Sequence, residues 1–358
     1  MQLVTNIFEP MAMKGNFLKN ILGVENVGDG GCYFGDVTAP ESADVVVVSA
    51  PWSVTADCGR GATYTPDAVI DVSLGKELYD AMSGITVEGR IATAEIDYNI
   101  QELSEQLGRE AERIMRIVGD GEGAVGEYVA RKVANVNEGF AEMHKSIYKQ
   151  VRHWAEAGKR IALIGGDHSV AFGAVKALAE CNEGMGVLFI DAHADFDSAE
   201  PFNYSHRTIA RDIVEGINSV AKVVQVGVRD VDRAEVEAIR ASEKVDIFFA
   251  EELAARRFEG ASWGELCRDV VEKLPQRVYV SLDIDALKIE FCSNTNMPTP
   301  GGMTFDEVVY LVNCVVESGR EIVGFDISEV VTSLNERMDA IVAARLLAKL
   351  SVAMLRNR

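Results

Sequence analysis

Cysteine pairs and long apolar runs are both missing from this sequence. No two of the six cysteines stand at Cys-x-x-Cys spacing, which argues against a zinc knuckle, a redox dithiol or a disulfide framework. No segment reaches the ~18 uninterrupted apolar residues of a membrane span, and the N-terminus has no basic stretch followed by a long apolar run. These absences predict a soluble, cytoplasmic protein with reduced cysteines.

Positive charge is also scarce. Lysine and arginine number 35 against 56 aspartates and glutamates, which gives a net charge of −21. Because nucleic-acid binding depends on cations that neutralise phosphates, neither nucleic acid nor an anionic membrane is an expected partner. Most of the acidic residues are expected to face water, although carboxylates gathered around bound cations would account for some of the excess.

The 358 residues, 48% of them hydrophobic, suffice for one large α/β domain, predicted over residues 45–358. Residues 1–44 show weak periodicity and are predicted to be an arm or cap. Helical patterns such as Phe172–Ala179 and Phe305–Glu317 separate several short β-branched runs, and this alternation indicates a mostly parallel sheet. The predicted strands are Val45–Val48, Ile161–Ile164, Val187–Ile190, Val223–Val228, Ile247–Phe249, Val278–Leu282 and Ile322–Phe325.

A helical segment is predicted over residues 99–158. Apolar positions spaced by three or four favour one helix at Ile100–Val118 and a longer one at Val129–Trp154, joined by a glycine-rich turn. His144 and His153 lie on the second helix with no acidic or cysteine partner at ligand spacing. Both are predicted to be packing or surface residues.

Three polar motifs each follow a predicted strand: Gly165–Ser169 (GGDHS), Asp191–Asp195 (DAHAD) and Ser281–Asp285 (SLDID). The carboxyl ends of parallel strands meet at one edge of the sheet, and alternate residues of an extended chain point to one side. The motifs therefore predict one site with six potential metal ligands, which are His168, Asp191, His193, Asp195, Asp283 and Asp285.

This ligand set suits two metal ions. Imidazoles and carboxylates favour Mn²⁺ over thiolate-preferring metals, although other divalent transition metals are possible. Four converging carboxylates repel unless cations neutralise them, and two cations that share a water lower its pKa and give a hydroxide near neutral pH. A single aspartate at a strand end is more often a helix cap, but three motifs in this order, with two of the five histidines, are specific.

The three motifs resemble the signature segments of the ureohydrolase family, which includes arginase, agmatinase, guanidinobutyrase and formimidoylglutamase. Val45–Ile70, with its glycines at 59 and 61, and Gly324–Val330 are similar to two further family segments. The resemblance implies a three-layer arginase-like α/β fold, with a central, mostly parallel eight-stranded sheet flanked by helices. It also implies two Mn²⁺ ions, hydroxide attack on a guanidinium carbon, and a homo-oligomer, either a trimer or a hexamer.

The family's site residues carry over to matching positions. Glu329 matches the glutamate that anchors the substrate guanidinium, and His206 matches the histidine credited with proton transfer; the alternatives are a helix cap and an ordinary loop histidine. The resemblance also divides the metal ligands into two sets that share Asp191 and Asp283. One metal would be held by His168, Asp191, Asp195 and Asp283, and the other by Asp191, His193, Asp283 and Asp285.

Asp197 suggests the substrate. Arginase has a neutral amide at the matching position, whereas a carboxylate would repel a substrate carboxylate and attract a terminal ammonium. Hydrolysis of agmatine to putrescine and urea is therefore favoured over hydrolysis of arginine, guanidinobutyrate or formimidoylglutamate. The alternative is that Asp197 pairs with a nearby cation such as Arg207 or caps the loop.

One segment departs from the family pattern. Lys288-Ile289 and Asn294-Thr295-Asn296 replace the usual Asp-Pro and Gly-Thr-Gly. Asparagine is the next best residue at positive φ, so the backbone path is expected to persist while the pocket rim changes. Two other classes remain open: a family-like protein that binds metal without turnover, and a single-zinc deacetylase of related fold, which would need fewer ligands.

Overall fold

Eight parallel strands form the centre of the protein, in a computed structural model that describes residues 31–56, 61–76, 78–119, 126–198, 201–331 and 337–356. In chain order the strands are Val45–Ala50 (β1), Tyr79–Asp80 (β2), Ile85–Thr86 (β3), Ile91–Thr93 (β4), Arg160–Gly165 (β5), Met185–Ile190 (β6), Val220–Val226 (β7), Val245–Phe248 (β8), Arg277–Asp283 (β9) and Glu321–Ser328 (β10). The sheet order is β4-β1-β5-β10-β9-β6-β7-β8, and β2 and β3 form a separate antiparallel pair.

Helices cover both faces of the sheet. They are Thr65–Ser73 (α1), Tyr98–Gly119 (α2), Glu127–Glu156 (α3), Ala171–Cys181 (α4), Ile209–Gly216 (α5), Arg233–Ala241 (α6), Ala250–Phe258 (α7), Trp263–Glu272 (α8), Phe305–Glu317 (α9) and Met338–Leu355 (α10). In the described part of the chain, none of them is long and apolar enough to cross a membrane.

Alternation along the strands divides the core into two layers. Val45 and Val47 pack with α1 and α7–α10, whereas Val46 and Val48 pack with α2–α6 on the opposite face. Both faces of each central strand are buried, which explains why the strands consist of uninterrupted apolar runs. The predicted three-layer fold with an eight-stranded sheet is confirmed.

Most predicted elements are present with small shifts of their ends. All seven predicted strands occur, and the two long helices extend one or two residues beyond the predicted ends on either side. The sequence pattern missed β4, because three residues at the edge of the sheet carry too little periodicity. Cys58, and residues 120–125 of the glycine-rich turn, lie outside the described residues, and no disulfide joins any of the five described cysteines.

The predicted N-terminal arm lies largely outside the described residues, which begin at 31. Tyr33 and Phe34 are buried: the Tyr33 hydroxyl lies 3.0 Å from Ser49 Oγ, and the Phe34 amide donates to Ser73 Oγ at 2.8 Å. The described end of residues 1–44 therefore packs on the domain.

The two histidines of α3 take the packing and surface roles predicted for them. His153 is exposed. His144 is buried among aromatic rings, and its Nε2 lies 3.0 Å from the carbonyl oxygen of Ser169. His144 thus braces the turn that carries His168.

Candidate metal centre

The polar motifs lie at the carboxyl ends of the four central strands, which are adjacent in the order β5-β10-β9-β6. His168 follows β5, Asp191 follows β6, Asp283 ends β9, and Glu329 follows β10. Parallel pairing brings these ends to one edge, so residues far apart in sequence converge there.

The GGDHS turn is held between two neighbouring strand ends. A Cβ on Gly166 would lie 1.6 Å from the carbonyl oxygen of Trp52, so only glycine permits this approach. The amide of Asp167 donates to that same carbonyl oxygen at 2.8 Å, and the amide of Glu329 donates to the Gly166 oxygen at 2.8 Å. These bonds fix the position of His168.

The first ligand group surrounds His168. Its Nδ1 lies 2.8 Å from Asp195 Oδ2, 3.2 Å from Asp191 Oδ2 and 3.5 Å from Asp283 Oδ2. His168, Asp191 and Asp283 have ligand atoms that all lie within 4.8 Å of one another. Three of the four residues predicted for one metal therefore form a compact group, with Asp195 in contact.

The second group surrounds His193. Its Nδ1 lies 3.0 Å from Asp285 Oδ2 and 3.7 Å from Asp191 Oδ1, and these three residues also have ligand atoms within 4.8 Å of one another. Asp191 belongs to both groups, as expected for a bridging ligand, whereas Asp283 belongs only to the first. The extended geometry expected of this motif ends at Asp195, whose φ is +49°.

Three of the four carboxylates of the centre have one oxygen anchored to the backbone. Asp191 Oδ1 accepts from the His193 amide at 2.7 Å, Asp283 Oδ1 from the Asp285 amide at 2.9 Å, and Asp285 Oδ1 from the Ala192 amide at 3.2 Å. The Oδ2 atoms of Asp191 and Asp283 approach His168, and Oδ2 of Asp285 approaches His193. The carboxylates are thus oriented in advance for a ligand between them.

These residues fit bound cations. His168 Nδ1 and Asp191 Oδ2 are buried and make no hydrogen bond of acceptable geometry within the described residues, which is costly unless another group satisfies them. The other ring nitrogen, Nε2, lies 3.0 Å from Ser281 Oγ, which donates to Asp326 at 2.8 Å. Such outer contacts orient a ligating histidine with Nδ1 toward the metal.

The charges of the centre also call for cations. Burial raises the pKa of Asp283 well above its usual range, and the charges of Asp285 and Asp191 raise it further. Burial and the charge of Asp191 raise the pKa of Asp195 to about 6. Positive charge beside Asp283 and Asp195 would therefore favour their ionised forms.

Glu329 lies beside this centre with both oxygens engaged. Oε1 accepts from the His168 amide at 2.8 Å and Oε2 from Asn296 Nδ2 at 2.6 Å. Burial raises the pKa of Glu329 to about 7, and the charge of Asp167 also raises it, whereas His206 lowers it. A cationic ligand would favour the ionised form.

His206 is buried in the wall of the same pocket. It begins the short helix His206–Thr208, and its Nδ1 lies 3.1 Å from the hydroxyl oxygen of Thr55. This contact orients the ring. The pocket has a volume of about 170 Å³. It is lined by His206 together with His168, His193, Asp283, Asp285 and Glu329.

Asp197 does not line this pocket. Its Oδ2 lies 3.2 Å from Arg207 Nη2, and Oδ1 accepts from the Ser198 amide at 2.6 Å. Pairing with Arg207 is the alternative considered from the sequence. Asp197 is therefore already neutralised by a neighbouring cation.

Three further acidic residues of the pocket wall were missed from the sequence. Asp230 and Asp232 lie on its wall in the segment between β7 and α6, and Glu235 lies there in the first turn of α6. The Asp-x-Asp spacing of Asp230 and Asp232 after a predicted strand, which Ser281–Asp285 also shows, could have identified these two residues.

The loop that departs from the family pattern, which contains Asn294 and Asn296, follows a path set by side-chain contacts. Neither Asn294 nor Asn296 has a positive φ, so the conformation that would make asparagine a substitute for glycine is not used here. Asn294 instead donates to Asp339 from its amide at 3.0 Å and from Nδ2 at 3.2 Å. The guanidinium of Arg229 donates to the carbonyl oxygens of Asp285 at 2.7 Å and Thr299 at 3.0 Å.

Comparisons with known proteins agree with this geometry. Residues 43–352 match the family model described as the Arginase family. The N(1)-aminopropylagmatine ureohydrolase of Thermus thermophilus is 30% identical over 301 residues, 83% of this chain and 86% of that protein.

Solved structures share the fold. The agmatine ureohydrolase of Thermoplasma volcanium superposes with a TM-score of 0.68 at 21% identity, covering 95% of this chain and 97% of that one. The proclavaminate amidino hydrolase of Streptomyces clavuligerus gives 0.69 at 23% identity, covering 92% and 99%.

Fold, ligand groups and relatives define a metal-dependent hydrolase of the ureohydrolase class. The family match extends over most of the sequence, and the chain belongs to the Arginase family. Its enzyme class is that of the amidinohydrolases.

Proposed function

We propose that this chain hydrolyses the C–N bond of a linear guanidino compound with two divalent cations, Mn²⁺ by preference. The convergence of two imidazoles and four carboxylates at the base of the pocket supports this proposal. The two proposed ligand sets are those carried over from the family, with Asp191 and Asp283 as bridges. When bound, the cations would supply a hydroxide nucleophile near neutral pH.

The pocket offers the remaining groups that the reaction needs. Glu329 would hold the substrate guanidinium, since a carboxylate accepts the planar donor fork, and the two donors that its oxygens contact, the His168 amide and Asn296 Nδ2, are uncharged. His206 would donate a proton to the leaving amine, and its contact with Thr55 keeps the ring oriented.

Metal removal tests this function. We expect chelated protein to release no urea from agmatine, and Mn²⁺ to restore the release. Arginine, guanidinobutyrate and N(1)-aminopropylagmatine complete the substrate panel, and formamide release from formimidoylglutamate is a separate readout. Full activity after exhaustive chelation would contradict the proposal, whereas tight metal binding without any product would favour the binding or regulatory alternative.

The pocket wall favours a substrate with a cationic amine, such as agmatine or an aminopropyl derivative of it. Arg207 also lines the pocket but is paired with Asp197, so Asp230, Asp232 and Glu235 leave this wall with a net negative charge that attracts ammonium and repels carboxylate. Relatives named N(1)-aminopropylagmatine ureohydrolase and agmatinase support the same class. Asp197 contributes less than expected from the sequence, because Arg207 already pairs with it.

Asp232→Asn is expected to lower kcat/KM for agmatine roughly three- to tenfold, with a smaller loss or a gain for arginine. Asparagine keeps the N-cap of α6, so stability should persist. Asp197→Asn is the matched control, and we expect less than about a twofold change. If Asp197→Asn lowered kcat/KM for agmatine selectively by roughly tenfold and Asp232→Asn did not lower it, Asp197 would be the residue that recognises the substrate amine.

A further inference from the structure

Asn296 links the departing loop to the guanidinium anchor. Its side chain is only 5% exposed and lies on the pocket wall. Nδ2 donates to Glu329 Oε2 at 2.6 Å, while the His168 amide holds Oε1 at 2.8 Å. The Glu329 carboxylate is therefore fixed from two sides, by the loop and by the metal-binding turn.

Glu329 requires such support. Its backbone φ is +58°, which is a left-handed conformation. For a residue other than glycine this conformation costs about 1 kcal/mol or more in conformational energy, and it persists only when the surrounding structure holds it. Each carboxylate oxygen has two acceptor sites. One site on each oxygen therefore stays open for a ligand, and the two donors fix the plane of the carboxylate.

The other half of the Asn296 amide is an acceptor. Within the described residues, Oδ1 has no hydrogen-bond partner. A guanidinium donates two N–H groups to a carboxylate in the fork arrangement and has further N–H groups left over. Oδ1 lies one amide group away from Glu329, so it is placed to accept one of them.

We infer that Asn296 positions Glu329 and selects the guanidinium head group of the substrate, presenting Oδ1 as a further acceptor beside the carboxylate. This inference rests on the proposed function, because it takes Glu329 as the guanidinium anchor. The loop is braced for the role: Asn294 is tied to Asp339 before it, and Arg229 holds the Thr299 carbonyl oxygen after it.

Binding of guanidinium ion to the Mn²⁺-loaded protein tests the inference. Calorimetry with guanidinium chloride at non-denaturing concentrations reports the head-group site, and putrescine reports the amine site. Asn296→Ala is expected to weaken guanidinium binding about tenfold and to leave putrescine binding and metal content unchanged. With agmatine as substrate, KM should rise more than kcat falls. Asn296→Ser, whose hydroxyl is too short to span the contact, should behave alike.

Asn294→Ala separates this role from support of the loop. It removes the Nδ2 hydrogen bond to Asp339 and keeps both the backbone amide bond to Asp339 and the contact of Asn296 with Glu329, so we expect a slightly lower melting temperature and guanidinium binding within about twofold of the native value. The inference would be overturned if Asn294→Ala and Asn296→Ala weakened guanidinium binding equally. It would also be overturned if Asn296→Ala weakened guanidinium and putrescine binding equally. If the native protein and Asn296→Ala bound guanidinium equally well, this inference would be wrong and the proposed function would stand. Native protein that binds no guanidinium would reject the proposed head-group site as well.

Discussion

Asp191→Ala is expected to lose both metal ions and to lower kcat by more than about a hundredfold, since even outer contacts to metal ligands contribute ten- to hundredfold. Asp191 is the one residue found in both ligand groups of the described chain. Its carboxylate contacts both His168 and His193. Metal content of the purified variant, measured by mass spectrometry, and urea release are the two readouts.

His193→Ala is the matched comparison, because His193 belongs to the second group only. We expect it to retain about one ion per chain. Asp283→Ala separates the two bridging assignments: as a bridge it should lose both ions, and a variant that keeps two tightly bound ions would contradict that assignment.

Gly166→Ala is expected to destabilise the fold by roughly 3 kcal/mol and to abolish metal binding. The new Cβ would lie 1.6 Å from the Trp52 carbonyl oxygen and 2.5 Å from its carbon, and backbone atoms cannot turn aside as a side chain does. The turn would move and take His168 with it. Calorimetric melting temperature and metal content measure the two effects.

Gly126→Ala provides the control for this change. Gly126 is the N-cap of α3, and a Cβ there would have no atom of the described residues within 4 Å apart from its chain neighbours. We expect its melting temperature and metal content to stay near the native values. A Gly166→Ala protein as stable and as metal-rich as Gly126→Ala would show that the Trp52 segment can retreat.

The sequence predicted the elements and ligands whose signals are local. A buried parallel strand is a continuous β-branched run, so Val45–Ala50 and Arg160–Gly165 could be recognised from a few residues. The same holds for the ligands, because each motif follows directly on its strand. The predicted ligand roles, the homo-oligomer and the cytoplasmic location stay predictions.

Features that depend on partners distant in sequence could not be predicted in this way. The role of Asn296 depends on Glu329, and that of Asn294 on Asp339. Comparison with the family's glycine loop suggested that the asparagines were chosen for their backbone conformation. In the structure, the loop is held by hydrogen bonds of the asparagine side chains. Asp197 likewise depends on where Arg207 lies, which no local pattern specifies.

The position of β10 has a consequence for synthesis of the chain. It is the last described strand in chain order, yet it lies between β5 and β9 near the middle of the sheet. Until it leaves the ribosome, β5 and β9 each have an unpaired edge, and open edges template association with other chains. A partial chain that ends before residue 328 therefore exposes both edges to pairing with other chains. A product released after translation stalls shortly before that residue would lack β10, so β5 and β9 would have no strand between them.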